Sequence, residues 1–148
     1  MTITPELIEQ FNLIRVGGVY YGAFAKDESD HAAIIAAIHE DTVHYFSITS
    51  SKEFIDSRKI FDSKAVVELE ESETKLFFPD NPKDDWIYCG SANWQIKSFD
   101  SFKQDLAKGI IKVLPNAPKS LYERVIKGIK ESVTYSNDEL RKMGILSK

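Results

Sequence analysis

Three imidazoles crowd one short stretch of the chain, His31, His39 and His44, all within fourteen residues. Imidazole titrates nearest to neutral pH of all side chains, so it can move a proton or hold a metal. A metal site at the turn between these histidines would draw further ligands from Glu40 or Asp41, but the spacing matches no zinc motif. Histidines that flank a turn are ordinarily surface residues. Carboxylates are plentiful, yet no pair stands apart as in a glycosidase or a two-metal nuclease. Glu68, Glu70, Glu71 and Glu73 read as a solvated strand and turn. Trp86, Trp94, Tyr20, Tyr21 and Tyr45 can stack on bases or fill a core. The single cysteine, Cys89, excludes an internal disulfide and a cysteine-built zinc site, and beside Tyr88 it reads as a small buried hydrophobe. Gly17-Gly18 lacks the spacing and lysine of a phosphate-binding loop, and there is no Gly-x-Ser-x-Gly elbow.

Short elements must position these groups. Thr4 can cap a first helix through about Ile14, with Pro5 at its first position and Leu7, Ile8, Phe11 and Ile14 at helical spacing. After Gly17-Gly18 the text changes to β-rich runs. Val19–Phe24 is followed by a polar loop over 26–30, then by the continuously apolar His31–Ile38, a turn at Glu40-Asp41, and Val43–Ile48. The last two runs are close enough for a hairpin; the first of them is either a strand buried on both faces or a short helix, and the turn spacing favours the strand. Further strands are expected at Ala65–Leu69, Thr74–Phe78, Trp86–Cys89 and Trp94–Ile96, with a loop over 79–85. Strands at this spacing suggest a small barrel or sandwich. Phe99, Phe102 and Leu106 mark a helix stopped at Lys108-Gly109, and Ile110–Leu114 returns as a strand. Pro118 opens a helix striped by Leu121, Val125 and Ile129, and Ser136–Glu139 forms a capping box before a last helix ending near Gly144.

The 148 residues suit one domain, and 43% hydrophobic with 28% charged residues is a globular balance. No apolar run approaches the ~20 residues that span a bilayer, and Met1–Pro5 is no signal peptide, so a cytoplasmic location without a membrane partner is expected. Net charge is −4, but residues 1–96 carry 8 basic against 17 acidic side chains, and residues 97–148 carry 11 against 6. That asymmetry hints at a charged partner, although lysine-rich helices also simply solvate one face.

The hairpin carries a more specific pattern. Gly18-Val19-Tyr20-Tyr21, a polar loop, His31-Ala32-Ala33-Ile34-Ile35 and a strand ending in Ser47-Ile48-Thr49-Ser50 together resemble the PemK/MazF family of toxin endoribonucleases. In that family an Arg-Pro opens the second strand, where this chain has His31-Ala32, and the third ends in an Ile-Thr-Ser-like segment. The resemblance spans residues 17 to about 131, through the helix near 98–108, Gly109-Ile110-Ile111 and the helix after Pro118.

The resemblance implies an α+β, mainly β fold, a small SH3-like barrel with an N-terminal helix and C-terminal helices packed on it. It also implies metal-independent cleavage of single-stranded RNA, a homodimer and an antitoxin partner, with no cofactor. In such cleavage the ribose 2′-hydroxyl attacks the adjacent phosphate, which requires a proton acceptor, a proton donor and groups that stabilise the phosphorane charge. His31 can supply acid–base chemistry. Thr49 and Ser50 can donate hydrogen bonds to phosphate oxygens. Lys52 or Arg58 in the following loop can replace the missing arginine's charge, and Tyr20 can stack on a base. Two other readings compete: a small-barrel interaction module without catalysis, and a single-stranded nucleic-acid binder, which the acidic pI of about 5.4 disfavours.

Overall fold

A computed structural model describes residues 3–26, 28–80 and 82–146. Expectations touching Met1, Thr2, Asp27 and Asn81 lie outside the described residues.

The first helix, α1, runs over Pro5–Gln10, shorter than its apolar spacing suggested. Thr4 caps it by accepting the Leu7 amide at 3.2 Å. Replacing Thr4 with Ala removes that acceptor and is expected to cost about 1 kcal/mol, read as a lower urea midpoint at unchanged slope.

Seven strands follow: β1 (Val19–Gly22), β2 (His31–His39), β3 (Thr42–Thr49), β4 (Val66–Glu68), β5 (Trp86–Tyr88), β6 (Trp94–Ser98) and β7 (Ile111–Leu114). All pair antiparallel in the order β4-β5-β3-β2-β1-β7, and β6 shares with β5 the second flank of β3. The remaining helices are α2 (Lys52–Asp62), α3 (Glu71–Phe77), α4 (Phe99–Ala107), α5 (Lys119–Glu131) and α6 (Asn137–Lys142).

β2 is apolar throughout because both faces of the sheet are covered. Ala32 and Ile34 join a larger core with Leu121, Val125 and Ile129 of α5. Ala33 and Ile35 join a smaller one with Ile8 of α1 and Phe102 and Leu106 of α4. A bulge at Ala36 interrupts the pairing with β3, so Ala36 and Ala37 both reach the larger core and the alternation inverts beyond them.

The small barrel expected from the sequence, open or closed, does not form as a closed one. The edge strands β4 and β7 are not paired with each other, and the sheet stays open. The apolar stripe of α5 fills the space over the sheet that closure would consume. An α+β fold with an open antiparallel sheet is what forms.

Three local expectations also change. The segment after β3 is the helix α2 rather than a loop, with Ser51 accepting the Phe54 amide at 3.3 Å. Thr74–Phe77 lies in α3, not in a strand, because Glu70 and Glu73 cap that helix reciprocally. His44, expected at the surface, is fully buried, and its Nδ1 accepts the indole N–H of Trp94 at 3.0 Å. Burial, helped by His39 and Lys142, lowers the His44 pKa to about 4, so the ring is neutral. Among the described residues no helix is long and apolar enough to cross a membrane.

Candidate functional site

Antiparallel register gathers three strand ends. Tyr21 pairs with Ala32, Ala32 with Ile48 and Ile48 with Ile87, which makes one row across β1, β2, β3 and β5. One residue further out, His31 begins β2, Thr49 ends β3, and Trp86, opposite Thr49, begins β5. His31 and Thr49 are therefore neighbours across strands about 4.8 Å apart. A cleft of about 600 Å³ opens at this end, lined by Tyr21, Ala32 and Ile48 from the sheet, by Phe77 and Phe78 at the end of α3, and by His31, Ser50, Lys83 and Asp85.

The imidazole of His31 is held. Its Nδ1 lies 3.0 Å from the Glu28 carboxylate and 3.2 Å from the Ser29 carbonyl. Both neighbours are acceptors, so Nδ1 carries the proton, while Nε2 is buried without a partner. The ring rests on Phe24 at 4.9 Å.

Five buried side-chain polar atoms lack a hydrogen-bond partner among the described residues, and three of them belong to His31 (Nε2), Asp85 (Oδ2) and Trp86 (Nε1). Roughly 90% or more of buried polar groups are paired, so this concentration singles out one end of the sheet. Asp85 is only 5% exposed. Burial and the neighbouring Asp84 push its carboxyl up, against the pull of Lys83, to about 6. A carboxyl so placed is a stronger base than a surface carboxylate and can take or give a proton near neutral pH.

Charge at the mouth is mixed. Asp30 and Asp80 are exposed on the lining, and Lys83 is its lysine. Lys112 pairs with Tyr21 across β1 and β7 and so shares its face, which places a second lysine beside the mouth. A larger hollow of about 820 Å³ lies on the far side of the same loop, between Glu68, Glu70, Glu71, Lys75 and Asp84, and holds no imidazole.

Of the residues proposed from sequence for catalysis, the cleft gathers His31 and Ser50. Thr49 stands beside them but not on the lining, and its hydroxyl accepts the Ser51 amide at 3.1 Å in the turn into α2. The residues proposed to bind RNA lie elsewhere. Lys52 opens α2 and pairs with Asp56 at 3.2 Å. Arg58 lies over the rings of Phe54, Phe61 and Tyr88, 4.8–5.8 Å from their centroids, and does not line the cleft. Tyr20 is buried, its hydroxyl donating to the Leu13 carbonyl at 2.5 Å, because alternation along β1 turns it into the smaller core. The same alternation presents Tyr21, 38% exposed, to the cleft. Cys89 is buried, as its neighbours suggested, and burial drives its thiol pKa up. Among the described residues no group of three or more His, Cys, Asp and Glu side chains could hold a metal, so the turn histidines do not assemble one.

Sequence reasoning named Tyr21 among the rings that can stack on a base but chose Tyr20, and it missed Asp85 and Lys83 on the cleft lining and Lys112 beside it. The β alternation of Val19–Tyr21 carried the signal for Tyr21, whereas nothing local distinguished Asp85 from its acidic neighbours. No protein-family model matches the chain, and no curated protein matches it significantly.

Proposed function

We propose that the chain is an endoribonuclease of the PemK/MazF type that cleaves single-stranded RNA at the strand-end cleft without a metal. One observation carries this reading: the imidazole of His31, its Nδ1 hydrogen-bonded to the Ser29 carbonyl beside the Glu28 carboxylate, lines the same cleft as Ser50 and Lys83. A carboxylate that orients an imidazole is the arrangement from which that ring exchanges protons efficiently. Ser50 donates to a phosphate oxygen, Lys83 and Lys112 offset the charge that grows on the phosphorane, and Tyr21 offers a ring for a base. An antitoxin that covers the cleft, and a two-fold dimer, belong to the same reading.

The test is incubation of the purified chain with a single-stranded oligoribonucleotide in the presence of a chelator. Expected products are a 2′,3′-cyclic phosphate and a 5′-hydroxyl, with His31→Ala lowering kcat/KM by about 10²- to 10⁴-fold. Absence of cleavage overturns the reading. The exposed carboxylates Asp30 and Asp80 at the mouth favour a second reading, an interaction module without catalysis that grips a basic segment of a partner protein. It requires an RNA-inert chain that binds such a segment and loses it on Asp30→Asn with Asp80→Asn.

A further inference from the structure

Arg15, Arg124 and Arg141 each donate to a side-chain oxygen, whereas Arg58 has no such acceptor among the described residues. We propose that Arg58, with Phe61 and Val133 beside it, anchors a docking surface for a partner protein. The segment it takes carries an Asp or Glu carboxylate next to an apolar side chain.

The helix α2 creates the arrangement. Phe54, Arg58 and Phe61 stand at i, i+4 and i+7, on one flank. The guanidinium carbon lies 4.8 Å from the ring centroid of Phe54, 5.6 Å from Tyr88 and 5.8 Å from Phe61, within cation–π reach of all three. Asp62, one turn further on, is the natural ion-pair partner by spacing. It is buried instead, and accepts from the Tyr88 hydroxyl at 2.7 Å, the Ser132 hydroxyl at 2.6 Å and the Val133 amide at 2.9 Å. Asp56 is engaged with Lys52 at 3.2 Å. Among the rings, Nε of Arg58 is buried without an acceptor, so the two terminal nitrogens are what this half-buried side chain presents. Such a fork, held flat by aromatic faces, receives a carboxylate end-on through two parallel hydrogen bonds.

The surroundings fit a protein partner. Phe61 is 51% exposed and Val133 73%, and the Val133 amide bond to Asp62 fixes Val133 at the same end of α2. A weakly hydrated arginine among aromatic and aliphatic side chains has the composition of an interface hot spot, and its rings limit the entropy lost on binding. Charge selects the occupant. On α2, Lys52, Arg58 and Lys59 are matched by Glu53, Asp56 and Asp62, so the helix as a whole is neutral. One carboxylate complements the one unpaired guanidinium, whereas the successive phosphates of a nucleic acid would also meet Glu53 and Asp56. None of these residues lines the strand-end cleft, so the surface is open whether or not RNA is cut there.

The experiment pans a random dodecapeptide library on the immobilised full chain, with Arg58→Lys and Phe61→Ser as counter-targets. Enriched peptides are expected to share an Asp or Glu beside a large apolar residue. Each should bind either variant at least about tenfold more weakly, and lose about as much when its own acid becomes the amide. In the NMR spectrum of the unsubstituted chain, each peptide should shift the Nε–H signal of Arg58. A thermal melt establishes that each variant is folded; the acid-to-amide peptides and the Arg58 signal decide the matter even where a variant is not. No enrichment, enrichment of peptides that lack an acid, or an Arg58 signal that does not move overturns the proposal. So does an oligouridylate that shifts the same signal and displaces the peptides, because the surface would then take a nucleic acid.

Discussion

At pH 8, Asp85→Asn is expected to be more stable to urea than the unsubstituted chain, by about 2 kcal/mol. Burial holds the folded-state carboxyl near 6, above its ordinary 3.8. A raised carboxyl pKa means that the folded state resists ionisation: its favourable contribution is complete below the unfolded value and is lost as pH rises through 6. Two pH units of displacement correspond to about 3 kcal/mol, and the buried amide that replaces the carboxyl retains part of the desolvation cost, which leaves about 2. The difference between the two proteins should open between pH 4 and pH 6 and stay constant above. Because His44 is held neutral in the fold, both proteins weaken as pH falls from 6.5 towards 4, so the difference between them, not either curve, isolates Asp85. Equal stability at pH 8 would mean that Asp85 has a partner in solution.

A side chain whose charge weakens the fold, yet lies in a cleft beside a held imidazole, fits the general exchange of stability for function at sites.

Local pattern made several elements legible. Seven apolar residues after His31 favoured a strand covered on both faces, and the Ser136–Glu139 box announced α6. Closure was not legible, because whether a sheet curls on itself depends on what lies over it. Here α5 does, more than fifty residues downstream of β4. The helix α2 was missed because Ile55 and Asp62 are its only buried residues, so no apolar stripe announces it, and Ser51 reads equally as the tail of a strand and as a cap.

The site failed in the same way. Alternation fixes which of Tyr20 and Tyr21 reaches the surface, but only once the buried side of β1 is known. The burial of His44 depends on Trp94, and the singularity of Asp85 depends on walls supplied by β1, β2 and α3. Loop acids carry no mark of burial, whereas an imidazole at a strand start is conspicuous by type alone.

The wall of the cleft depends on one distant ion pair. Glu73, buried in α3, accepts two hydrogen bonds from Arg124 of α5, at 2.8 and 3.0 Å, and a third from the Glu70 amide at 2.7 Å. Burial raises the Glu73 pKa, but the Arg124 hydrogen bonds and the Glu70 amide outweigh it, and the carboxyl lies below its ordinary value. Arg124→Met removes the cation and leaves a buried carboxylate, at an expected cost of about 3–5 kcal/mol in urea unfolding. The cost should shrink as pH falls below the ordinary glutamate range, because a protonated Glu73 no longer needs a cation. Adding Glu73→Gln should recover much of the loss, and the double-mutant cycle measures the coupling. A loss under about 1 kcal/mol for Arg124→Met would show a surface ion pair of ordinary weakness. The same helix ends in Phe77 and continues to Phe78, which line the cleft, so loosening its anchor should raise KM more than it lowers kcat.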